Sequence, residues 1–108
     1  MNDHTASEVL NKITYETYPE KILLMGAFHE TKTGADSWRS ADIEARFSDA
    51  KADGPSNFPR DISTAIRQGT ITTVTPRTYR VTRTGWSNLA RAIDQVSVTF
   101  QDFEAAKQ

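Results

Sequence analysis

The feature that most limits what this chain can fold into is a change of hydrophobic period at one glycine. Upstream of Gly69, in "NFPRDISTAIRQG", the apolar residues Phe58, Ile62 and Ile66 recur four apart with Ala65 beside them, which predicts a helix with a narrow buried stripe. Asn57 is placed to cap that helix, Pro59 to sit in its first turn, and Gly69 to stop it. Downstream, "TITTV" and "TYRVT" are β-branched and aromatic runs on either side of the turn "TPRT". Pro76 suits the first central position of that turn, which leaves Arg77 at the tip. The expectation is a helix over about 57–68 that runs directly into a short hairpin over about 71–82.

Other segments carry helical signals. "TASEVLNKITYET" offers Thr5 or Ser7 as a cap, with Val9, Leu10 and Ile13 at helical spacing. In "TYPEKILLMGAFHETKTG", Thr17 and Glu20 have capping-box spacing, Pro19 falls in the first turn and Gly34 lies past the end. Ile22, Leu23, Met25, Ala27 and Phe28 make this a core helix. "WRSADIEARFSDAKADG" places Ser40 as a cap and Ile43 and Phe47 four apart, predicting a surface helix that ends at Gly54–Pro55. After the hairpin, Thr82 or Thr84 caps a last helix in which Trp86, Leu89, Ala90 and Ile93 repeat at i, i+3, i+4 and i+7. "VSVTFQDF" then alternates Val96, Val98 and Phe100, a pattern that fits either a strand or a continued helix.

The stretch "NFPRDISTAIRQGTI", followed by "YRVTRTGW", resembles the winged helix-turn-helix domain: a recognition helix, a Gly before the Ile that opens the first wing strand, and a Tyr-x-Val-Thr-x-x-Gly exit. The resemblance covers roughly residues 18–94 and lies at the level of the fold. It implies an α+β, mostly helical chain, with a three-helix core and a short β-hairpin wing. Residues 1–16 and 95–108 would be accessory elements of a single domain spanning 1–108. Trp38 and Trp86 read first as core anchors, Trp86 from its place on the apolar stripe of the last helix, and the resemblance would make Trp38 the short strand that pairs with the wing. The resemblance also implies duplex DNA as the partner, with helix 57–68 in the major groove and wing 71–82 on the backbone or minor groove. The alternative is a winged helix used as a protein-interaction module that never touches DNA.

On a helical wheel centred on Ile62, Phe58 and Ile66 fall about 40° to either side, and Asn57, Arg60, Thr64 and Arg67 cluster between roughly 140° and 220°. Ser63 borders that outward face. With Arg77 at the turn, Arg80 alternating outward between Tyr79 and Val81, and Arg83 at the start of the last helix, the predicted DNA-binding residues are Asn57, Arg60, Ser63, Thr64, Arg67, Arg77, Arg80 and Arg83. The chain's net charge of -1 conceals this concentration. Residues 1–59 carry a net charge of -4, residues 60–91 a net +5 with six arginines and one acid, and residues 92–108 a net -2. Arginine's planar fork suits phosphates and guanine edges.

Other chemistries find little support. The chain has no cysteine, so disulfides, thiolate metal sites and cysteine nucleophiles are excluded. His29 and Glu30 lack the second histidine of a zinc-protease helix, and Asp42, Glu44 and Asp49 lack metal-loop spacing. "GAFHETKT" approaches a phosphate loop but has Thr31 where the second glycine belongs, and it lies on a predicted helix. No cofactor, metal or catalytic role is expected. No apolar run approaches the roughly 18–20 residues of a membrane span, and the N-terminus lacks signal-peptide features, so a cytoplasmic protein is expected. Val9, Leu10 and Ile13 at one end, and Val96, Val98, Phe100 and Phe103 at the other, nominate the terminal segments for homodimerisation. The combined expectation is a small transcriptional regulator or an accessory of mobile or phage-related DNA.

Overall fold

The computed structural model describes residues 5–95. The elements run α1 (Ala6–Lys12), α2 (Tyr18–Thr33), α3 (Ser40–Asp49), α4 (Phe58–Gln68), β1 (Ile71–Thr75), β2 (Thr78–Val81) and α5 (Arg83–Gln95). Among the described residues this is a mostly helical α+β arrangement with one two-stranded antiparallel sheet, compatible with a winged helix. No described helix is long and apolar enough to cross a membrane. The alternating segment Val96 to Phe103 lies outside the described residues.

Helix α2 is the element on which the others pack, since α1, α3, α4, α5 and β2 all lie against it. Residues Ile22 to Phe28 are buried without interruption, so the middle of α2 is enclosed on all sides. Its ends follow local chemistry. Thr17 and Glu20 form the capping box, and Gly34 closes the helix at φ 71°. At Gly26 an added Cβ would sit 2.5 Å from the Trp38 ring, so glycine here makes room for the indole.

Helix α1 begins with a second capping box, Thr5 with Glu8. Val9 and Ile13 are fully enclosed, which makes α1 part of the same core. Tyr15 beyond it donates its hydroxyl to Asn88 Oδ1 on α5. Burial, reinforced by Glu20, pushes that phenol up to about 12.

Helix α3 departs from the sequence reading at both ends. Arg39, and not Ser40, is the cap residue, its N–H donating to Asp42 Oδ2 at 2.9 Å. The helix stops at Asp49, ahead of the expected Gly54–Pro55. Lys51 takes the left-handed conformation, φ 55°, just past the end of the helix. Lys51 N–H donates to the Ser48 carbonyl at 2.9 Å and Ala52 N–H to the Phe47 carbonyl at 3.0 Å, so the last carbonyls are satisfied without glycine.

The hairpin pairs Ile71 with Val81, Thr72 with Arg80, Thr73 with Tyr79 and Thr75 with Thr78, and Val74 is the extra residue of a bulge. Trp38 supplies the expected third rung, exchanging two 2.8 Å hydrogen bonds with Tyr79. Glu30 continues that edge: its Oε2 accepts from Val81 N–H at 2.8 Å and from Trp38 Nε1 at 2.9 Å. An otherwise open strand edge is thereby closed by a tryptophan backbone and a carboxylate. Thr82 caps α5 by accepting from Gly85 N–H at 3.0 Å. A Cβ on Gly85 would lie 2.4 Å from the Thr70 carbonyl oxygen and 2.7 Å from Val81, so the glycine lets α5 press onto the hairpin base.

Candidate functional site

Helix α4 is stopped at its ends as its sequence requires. Asn57 Oδ1 accepts from Arg60 N–H at 3.1 Å, and Gly69 closes the helix at φ 83°. Its roll about its own axis is not the one expected. Phe58, Asp61, Ile62 and Ala65 are buried, whereas Ile66 is 36% exposed. The expectation that Ile66 belongs to the core stripe is corrected. At 100° per residue the centre of the buried set lies roughly 50° from Ile62 toward Ala65, which leaves Ile66 roughly 90° from that centre. Arg60, Ser63 and Arg67 then fall within roughly 30° of the opposite pole. All three are exposed, and Ser63, placed at the border by the sequence reading, is central.

Asp61 is the side chain that the shift carries inward. It is only 6% exposed, with Oδ1 3.5 Å from Arg60 Nε and Oδ2 buried without a hydrogen-bond partner. The positive end of the α4 dipole favours a carboxylate in this first turn. The consequence for the surface is larger than the side chain. Asp61 is the one acid of residues 60–91, and it faces inward, while Arg60, Arg67, Arg77, Arg80, Arg83 and Arg91 are all exposed.

Two predicted contact residues are already engaged within the helix. Thr64 Oγ1 donates to the Arg60 carbonyl at 3.1 Å and accepts from Arg67 Nη2 at 3.1 Å. Thr64 therefore orients Arg67. Asn57 has spent its oxygen on the cap and keeps only its amide N–H groups for a ligand.

The hairpin arginines divide into two positions. Arg77 stands at the tip with φ 67°, after Pro76. A proline at the first central residue and a positive φ at the second are the requirements of a type II turn, which normally takes Gly or Asn there. Type II turns splay the strands of a right-twisted hairpin, and the bulge at Val74 adjoins the turn where that mismatch must be absorbed. Arg80 and Arg83 instead line a depression of about 350 Å³ shared with Glu30, Asp36, Thr72 and Trp86. Arg80 lies in the field of Glu30, whose carboxyl burial raises above its ordinary value while its two hydrogen bonds and Arg80 oppose the rise. The predicted residues thus form an α4 face (Arg60, Ser63, Arg67, supported by Asn57 and Thr64), a tip (Arg77), and a pair beside acids (Arg80, Arg83).

Among the described residues, no group of three or more His, Asp or Glu side chains is placed to hold a metal. His29 accepts from Arg46 Nε through Nδ1 at 3.2 Å, and burial together with Arg46 lowers its pKa. Ile66 and Val74 are the surface features that sequence reasoning missed. Ile66 was hidden by its four-residue spacing from Ile62, and nothing in "TITTV" marks Val74 as a bulge. Comparison with protein-family models, curated proteins and solved structures finds no match for this chain.

Proposed function

We propose that this chain is a winged helix-turn-helix domain that binds duplex DNA, with α4 in the major groove and the β1–β2 hairpin on the backbone or minor groove. One observation carries the reading: the block with six arginines and one acid exposes all of the arginines and buries the acid. Arg67 and Arg77 make no ion pair with a described residue, so their charge is available to phosphates, while Arg80 and Arg83 share theirs with Glu30 and Asp36. Arg67, held by Thr64, is oriented before any ligand arrives, which lowers the entropy lost on binding. The domain acts as a small DNA-binding regulator or an accessory of mobile DNA, in two copies, because one winged helix spans only a few base pairs.

The experiment is retention of a mixed-sequence duplex by the purified chain across a salt series. Arg60→Ala with Arg67→Ala is expected to abolish retention at moderate salt and to lower the salt slope by about two, with a melting curve to establish that the variant stays folded once the Arg60–Asp61 pair is lost. Unchanged retention would falsify the assignment. Absence of salt-sensitive binding by the unmodified chain, with a protein copurifying in its place, decides for the interaction-module alternative.

A further inference from the structure

We infer that Ile66 reads the C5-methyl group of a thymine in the major groove. The inference rests on the duplex reading of α4. Ile66 and Val74 are the exposed large hydrophobics among the described residues; Ile66 shares α4 with the outward Arg60 and Arg67, whereas Val74 lies on β1, which carries no arginine. The inward side of α4 is already filled by Phe58, Ile62 and Ala65, so Ile66 is not needed to complete the core. Its neighbours one turn away are the exposed Ser63 and Gly69 on one side and the buried Ile62 and Thr70 on the other, so Ile66 stands at the border between the core and the outward face. An exposed apolar side chain flanking a face of hydroxyl and guanidinium groups matches the major groove. There the thymine methyl is the apolar feature among hydrogen-bond donors and acceptors. A protein interface would instead ask for a contiguous apolar centre, which Ser63, Arg67 and Gly69 do not provide. Isoleucine is also stiff at χ1 in a helix, so its methyl groups are presented in one arrangement.

The test selects the preferred duplex for the full chain from a random pool, then replaces each thymine in turn by deoxyuridine, which lacks only the methyl group. The unmodified chain is expected to lose affinity about fourfold at one or two positions, the effect of one methyl no longer buried. Ile66→Ser is expected to bind the thymine duplex more weakly by at least that factor and to make no distinction at those positions. Ile66→Val is expected to keep the distinction, and melting curves of both variants establish that they are folded. Identical responses of the unmodified chain and Ile66→Ser at every thymine overturn the inference while leaving duplex binding intact. Failure of the unmodified chain to select any duplex removes the duplex reading and this inference with it. A protein partner held through Ile66 in place of duplex overturns it as well.

Discussion

Lys51 and Arg77 both hold the left-handed conformation without being glycine, at φ 55° and 67°. Such a backbone costs an ordinary residue roughly 1–2 kcal/mol, part of which glycine would give back through its greater freedom in the unfolded chain. Lys51 has a structural explanation, because it closes α3 with two satisfied carbonyls. Arg77 sits at an exposed turn where glycine would form the same hairpin with less strain, so what the position gains from arginine is a cation at the tip. Lys51→Gly and Arg77→Gly are each expected to raise thermal stability by up to about 1 kcal/mol. Only Arg77→Gly should weaken duplex retention and flatten its salt dependence. Equal retention by both variants would show that Arg77 touches no phosphate. Arg77 was legible at the tip from Pro76 alone. Its positive φ was not, because the same four residues could have turned without it.

Glu30 couples three elements by two hydrogen bonds. One carboxylate oxygen on α2 takes the Trp38 indole N–H and the Val81 backbone N–H of β2, and so ties the position of the hairpin to the central helix. Both donors are held near buried residues, where a lost partner costs about 1–3 kcal/mol. Glu30→Ala is therefore expected to destabilise the chain by about 2–5 kcal/mol, measured by denaturant titration, and to speed amide exchange at Val81. Glu30→Gln keeps an oxygen able to accept both bonds and should retain most of the stability. Equal losses for the two variants would show that packing, and not these bonds, holds the edge. The capping box of α2 and the glycine after α4 were readable because each involves residues within about four positions of one another. Glu30 was not readable, since Val81 lies fifty-one residues away in sequence.

Stability against pH belongs to the whole molecule, and on the acid side two groups shifted in opposite directions act on it. His29 is lowered from 6.5 by burial and by Arg46, so its contribution is complete above 6.5 and is lost as pH falls toward its folded value. Glu30 is raised from 4.5, so its contribution is complete below 4.5 and is lost as pH rises through its folded value. His29→Gln, which can still accept from Arg46, should melt with a smaller loss on acidification below pH 6.5 than the unmodified chain. An unchanged melting profile would remove His29 from the acid response. On the same scale, α1 turns out to belong to the core: Val9 and Ile13 are buried, so the N-terminal candidate for dimerisation offers only the half-buried Leu10. The C-terminal candidates Val96, Val98, Phe100 and Phe103 lie outside the described residues. By itself the sequence determined where α2 and α4 begin and stop and where the hairpin turns, because caps, glycines and prolines act on their near neighbours; for α1 and α5 it narrowed the cap to two residues each, of which the structure uses Thr5 and Thr82. Only the tertiary structure decided how α4 is rolled. Apolar residues at four-residue spacing leave the centre of a helix face open by tens of degrees, and packing against α2 settled it by drawing Asp61 in and leaving Ile66 out.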